Sequence, residues 1–223
     1  KCGGCSLQHI GYATQLLNKK DYLKNAVKYD GISVFSDKEY FYRNRMDLIF
    51  TKTGLGFRQK NNWAQAVDIE KCVIANEKIN HLISEIRDFF KDIDYFDLKK
   101  KGGTFRFAVI RMTNSDSSVS FVLNEDSTRL TGAVERIKEF AKKTTAKNII
   151  ITYVPKNKDE STSSEFFVVK GKDTLSETLL SKKFNYSSQG FFQNNTIMAE
   201  KMQEYVNNLL KNYETKDAYL LDL

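Results

Sequence analysis

Between residues 40 and 51 the sequence YFYRNRMDLIFT alternates. Tyr42, Asn44, Met46, Leu48 and Phe50 fall on one side of an extended chain, and Arg43, Arg45, Asp47 and Ile49 on the other. A period of two predicts a strand that buries one face. Lys52-Thr53-Gly54 then reads as a turn into Leu55-Gly56-Phe57-Arg58, and a third strand is expected over residues 66–69, shortly before Cys72. Elsewhere the period lengthens. Tyr12, Leu16, Leu17, Tyr22, Leu23 and Val27 predict an amphipathic helix over 12–28, and Ile79, Leu82, Ile83, Ile86 and Phe90 form one helical stripe over 77–91. Strands are predicted over 104–113 and 118–123, paired across the polar turn Asn114-Ser115-Asp116-Ser117. Others are expected over the β-branched run 148–154, over 165–170, and in short pieces at 174–180 and 183–186. Helices follow over 132–143 and 196–211, the second capped by Asn195. The apolar residues of 218–223 read as a last strand.

This mixture predicts an α/β chain, a central mixed or antiparallel sheet domain with packed helices. Sixteen Phe and a hydrophobic fraction of 41% supply enough apolar material for a sizeable core. No apolar run approaches the roughly 20 residues of a membrane helix, and no signal stretch follows Lys1. The expectation is a cytoplasmic monomer with no membrane partner. The net charge of +7 suits a polyanion such as nucleic acid, because Lys and Arg displace counterions from phosphates. Charge of this kind speaks to partners and not to fold.

Chemistry concentrates in three cysteines, Cys2, Cys5 and Cys72. Cys2-Gly3-Gly4-Cys5 sets two thiols on a tight turn whose glycines let backbone amides approach sulfur closely. Thiolates at this spacing bind zinc or an iron–sulfur cluster, and Cys72 offers a third ligand. The fourth is either His9 or a residue preceding Lys1. A redox pair or inert thiols are the alternatives, although a redox pair normally opens a helix after a strand.

Cys2-Gly3-Gly4-Cys5 followed by Gln8-His9, with Tyr12, Gln15 and Lys19 beyond, resembles the RNA 5-methyluridine (uracil-C5) methyltransferase family in its cluster-bearing branch. Further segments match in order: Tyr42-Arg43-Asn44-Arg45, Leu55-Gly56-Phe57-Arg58, the strand holding Arg106 and Arg111, and Gly190-Phe191-Phe192-Gln193-Asn194-Asn195. Leu221-Asp222-Leu223 is similar to the start of the methyl-donor loop. The resemblance spans essentially the whole chain. It implies a 4Fe-4S cluster on Cys2, Cys5 and Cys72, with the fourth Cys ligand upstream of Lys1. It also implies S-adenosylmethionine as donor, contacted by Gln193 and Asp222, and an RNA partner. Residues 1–76 would form a cluster-binding segment and hairpin, 77–183 a central α/β domain, and 184–223 the first helix and strand of an incomplete Rossmann-like methyltransferase domain.

In that family a Cys thiolate adds to uracil C6, C5 takes the methyl group, and a base removes the C5 proton. The resemblance allocates all three cysteines here to the cluster. The catalytic Cys and donor loop are therefore expected beyond Leu223, and the fragment alone is expected to be inactive. Ribosomal RNA (23S) is favoured as substrate, with transfer RNA the other choice. Arg43, Arg45, Arg58, Arg106 and Arg111 are the candidate RNA contacts, since a guanidinium grips phosphate with a planar fork. The same arginines also read as solvated or ion-paired, Arg45 with Asp47 for example, and Arg106 and Arg111 face opposite sides of a regular strand. Gln193 also reads as an ordinary residue near a helix start, and Asp222 as a turn residue. The competing functions are a non-catalytic RNA-binding module with a zinc or iron–sulfur site, and a small iron–sulfur electron carrier. Against the carrier stand the basic charge and the Phe-Phe-Gln segment.

Overall fold

The structure, a computed structural model, describes residues 2–214 and 216–219. The expected strand over 218–223, and Asp222 with it, fall largely or wholly outside these. In chain order the elements are α1 (Tyr12–Val27), β1 (Arg45–Phe50), β2 (Leu55–Gln59), β3 (Asn62–Asp68), α2 (Glu77–Phe89), β4 (Phe105–Met112), β5 (Ser117–Asn124), α3 (Leu130–Lys143), β6 (Asn148–Val154), β7 (Phe166–Lys170), β8 (Thr174–Leu179), β9 (Lys182–Ser187) and α4 (Thr196–Leu210). Seven strands form one sheet in the order β3-β2-β1-β4-β5-β6-β7, and β8 and β9 form a separate hairpin. The large sheet is mixed. Every pair in it is antiparallel except β5 with β6, which run parallel across the α3 crossover. β1 pairs with β4, so the sheet runs without a break past residue 76.

One sheet face carries the core. Met46, Leu48 and Phe50 of β1 point into it, as their alternation predicts, and the stripes of α2 and α3 close over them. Five phenylalanines gather at the centre: Phe50, Phe90, Phe105, Phe121 and Phe140, with neighbouring ring centroids 5.0 to 6.2 Å apart. Tilted and edge-on contacts of this kind add to the area they bury.

The first strand is shorter than its pattern. Phe41 takes φ 56 and breaks the extended run, and Arg43 pairs with Ala75 in an isolated parallel bridge. The segment before Arg45 thus straps the Cys72 loop instead of extending the sheet. α1 also departs from expectation, because it buries none of its residues and leaves Leu17, Tyr22, Leu23 and Val27 exposed. Its apolar positions recur at helical spacing but meet no core.

The second sheet face carries a smaller apolar cluster of Val109, Val122 and Val154, with Phe107 against it. Polar residues surround that cluster, and the loop between β6 and β7 covers part of it. Ser161 donates to Asp47 at 2.6 Å, and Arg106 reaches the Pro155 carbonyl at 2.7 Å. No helix among the described residues is long and apolar enough to cross a membrane.

Candidate functional site

Two motifs distant in sequence make the cysteine end. Gly3 donates to the Arg58 carbonyl at 2.7 Å, and Cys2 bridges to Gln59, so the Cys-Gly-Gly-Cys turn docks on the end of β2. A Cβ on Gly3 would lie 2.9 Å from that carbonyl oxygen. Gly56 is needed for a similar reason, since a Cβ there would meet the Val67 oxygen at 1.9 Å and force β2 and β3 apart. Cys72 is held from the other side. Its amide donates to Asn80 Oδ1 at 2.8 Å and its carbonyl accepts from Asn80 Nδ2 at 3.0 Å. Phe41 and Arg43 bond the carbonyls of Val73 and Ile74.

The turn and the loop approach each other. Burial pushes the Cys5 thiol up, and the neighbouring Cys72 and Cys2 sulfurs push it further while Arg43 opposes them. The Tyr42 phenol is raised by burial and by Cys5, with Cys72 adding to it. All three sulfurs therefore lie within electrostatic reach, although about seventy positions separate Cys72 from the turn. The donor set suits a thiophilic centre. The geometry is not a closed one, however, since no group of three or more His, Cys, Asp or Glu side chains among the described residues is close enough to hold a metal ion.

A cavity of about 440 Å³ is bounded by Cys5, Tyr42 and Arg43 on one side and by Asn195 and Met198 of the α4 start on the other, while Gln193 lines a neighbouring one with Leu23, Phe35 and Met202. Asn195 caps α4 by accepting from the Met198 amide at 3.1 Å. Asn44 ties the preceding residues down. Its amide bonds the Asn194 carbonyl at 2.9 Å, and its side chain donates to the Gln193 carbonyl and to Thr196 Oγ1, both at 2.9 Å. Thr196 in turn reaches the buried Glu177 of β8 at 3.4 Å. The Gln193 side chain stays exposed. Phe192 stacks on Tyr186 at 4.2 Å with planes 7° apart, while Phe191 is 78% exposed.

The arginines divide. Arg106 and Arg111 are buried, at 2% and 3% exposure, which corrects the expectation that they face RNA. Arg106 donates to the carbonyls of Pro155 and Lys158, and its guanidinium lies 4.3 Å over Phe96. Arg111 donates to the Gly190 carbonyl and lies 5.9 Å from the Tyr186 ring. Burial pulls the proton affinity of Arg111 down, to about 10, so it stays charged at neutral pH. The parity argument that set these two on opposite faces fails for a local reason: the register shifts between Phe105 and Phe107, and a bulge reverses the alternation. Arg45 is committed to Asp47 through two bonds of 2.7 Å. Burial alone would raise Asp47, but the Arg45 fork, Ser161 and Arg111 outweigh it and the carboxyl is lowered. Arg43 spends its Nε on the Arg45 carbonyl. Arg58 is partly exposed, pairs with Asp159 at 2.6 Å and lies 5.9 Å from the centre of the exposed Trp63 ring.

Sequence reasoning passed over Asn44, Glu177 and Tyr186. One signal was present for Asn44: it is a polar side chain on the apolar side of an alternating run, and a buried amide needs partners.

No family model matches the sequence. The tRNA (uracil(54)-C(5))-methyltransferase of Pyrococcus abyssi is 29% identical over 223 residues, covering 98% of this chain and 53% of the relative. A protein of Leptospira interrogans named as an uncharacterized RNA methyltransferase is 28% identical over 235 residues, covering 100% of this chain and 50% of the relative. The crystal structure of the Pyrococcus abyssi tRNA (uracil-54, C5)-methyltransferase in complex with S-adenosyl-L-homocysteine superposes with a TM-score of 0.78 at 29% identity, over 94% of this chain and 50% of that one. These likenesses make the chain similar to RNA methyltransferases over about half of their length. More narrowly, it is similar to named tRNA uracil-C5 methyltransferases, members of the family its motifs resemble. The chain spans about half the length of the curated relatives it matches.

Proposed function

We propose that the protein to which this sequence belongs transfers a methyl group from S-adenosylmethionine to C5 of uridine in RNA. One observation carries the reading: whole-chain similarity to a uracil-C5 methyltransferase solved with S-adenosyl-L-homocysteine, together with a Phe-Phe-Gln segment anchored at the start of α4. Gln193 is the donor-contacting residue, its amide free to both give and accept hydrogen bonds. Arg58, with the exposed Trp63 beside it, is the RNA contact this chain presents best. The relatives named for uracil 54 act on transfer RNA, which moves the substrate reading from ribosomal to transfer RNA. Cys2, Cys5 and Cys72 hold an iron–sulfur cluster whose role is to tie the N-terminal turn to the Cys72 loop. Its fourth ligand is a further Cys.

In this mechanism a thiolate adds to uracil C6, C5 attacks the methyl carbon of S-adenosylmethionine with S-adenosylhomocysteine as the leaving group, and a base takes the C5 proton as the thiolate is eliminated. The nucleophile is not one of these three cysteines, which this reading allocates to the cluster. Incubating the full-length protein with labelled S-adenosylmethionine and either unmodified transfer RNA or ribosomal RNA, then analysing the nucleosides, tests the reading. The expected product is 5-methyluridine in transfer RNA, with no turnover by residues 1–223 alone. Methylation of a different atom, or of neither RNA, would overturn it.

A further inference from the structure

The Gly190–Asn195 segment has no regular secondary structure, yet main-chain carbonyls along it are held by side chains from the large sheet and the residue preceding it. Arg111 of β4 donates to the Gly190 carbonyl, and Asn44 holds the Gln193 carbonyl and, through its own amide, that of Asn194. The two anchors are themselves joined along the sheet, because the Met112 amide donates to the Asn44 carbonyl at 2.8 Å. Tyr186 lies between Arg111 and the stacked Phe192, so one side of the segment is fixed at both ends and in the middle. The other side, with Phe191 and the Gln193 amide, is left open. A buried guanidinium committed to a loop carbonyl is a demanding arrangement, since removing it leaves the carbonyl without its partner.

We propose that Asn44 and Arg111 are positioning residues that hold the Phe-Phe-Gln segment in one conformation, so that the Gln193 amide meets the methyl donor already oriented. Neither side chain touches the donor; each acts through the main chain. This rests on the donor reading of Gln193 above. Ordering the segment before the donor arrives spares the complex the entropy of ordering it on binding.

The test compares Asn44→Ala, Arg111→Met and the conservative Arg111→Lys with wild type in two measurements. Amide hydrogen exchange on the full-length protein is expected to quicken about tenfold or more over 190–196 in Asn44→Ala and Arg111→Met, with the strands β4 and β5 unchanged, and to recover in part in Arg111→Lys. In steady-state methylation by the full-length protein, the donor KM is expected to rise about tenfold, the loss of one or two hydrogen bonds, while the RNA KM is unchanged. Gln193→Ala should raise the donor KM without altering exchange. Unchanged exchange over 190–196, or equal losses across the whole sheet, would overturn the clamp. A rise in RNA KM with the donor KM unmoved would overturn it too. If wild type transfers no methyl group, the donor reading fails by itself, and the exchange result still decides whether the segment is clamped.

Discussion

At the scale of single residues, arginines that look alike in sequence do different work. Arg106 is enclosed by carbonyls and an aromatic ring, with Asp159, Asp126 and Glu160 near enough to support its charge. Arg106→Met should destabilise the fold by about 3 kcal/mol, since it strands buried carbonyl groups, and urea denaturation measures this. Arg58→Ala should leave stability nearly unchanged and weaken RNA binding, read by filter binding at several salt concentrations, with a shallower salt slope. Tyr186 adds a pH signature. Burial pushes its phenol up to about 12, against an ordinary value of 10. The unfolded chain loses this proton first as pH rises, so the contribution is intact below pH 10 and is lost as pH climbs through about 12. Tyr186→Phe should flatten the fall in denaturation midpoint across that window. An unchanged profile would assign the alkaline loss to other groups.

Among elements, α4 depends most on its first turn. Only Ala199 of the helix is buried, so packing secures it weakly and the Asn195 cap matters more than usual. Asn195→Ala should cost about 1 kcal/mol, with amide exchange in the first turn of α4 rising before that of the sheet. The strands and helices of the core were readable because their periods are strong: the β1 alternation and the α2 stripe fall where the pattern set them. The strand start at residue 40 was misread because the left-handed Phe41 breaks the run without changing the apolar pattern. The side of the sheet on which Arg106 lies was misread because a bulge is a pairing event between strands, and nothing local to residues 105–107 announces it.

Taken whole, the molecule gathers sulfurs from Cys2, Cys5 and Cys72 to one end of the sheet, beside the cavity that reaches Asn195. If they hold a cluster, anaerobic incubation of the full-length protein with iron and sulfide should develop broad visible absorption and raise the melting temperature, because ligands from distant segments couple metal binding to folding. Cys72→Ser should abolish both effects. Equal absorption in the variant would remove Cys72 from the ligand set. What the sequence determined by itself was the periodic elements, the cysteine turn and the Phe-Phe-Gln motif, since each is written in neighbouring residues. Only the tertiary structure decided which arginines are buried, that Asn44 and Arg111 hold the Gln193 segment, and that the lone Cys72 approaches the turn. Those outcomes depend on strand pairing and desolvation between residues far apart in the chain, and no local pattern encodes them.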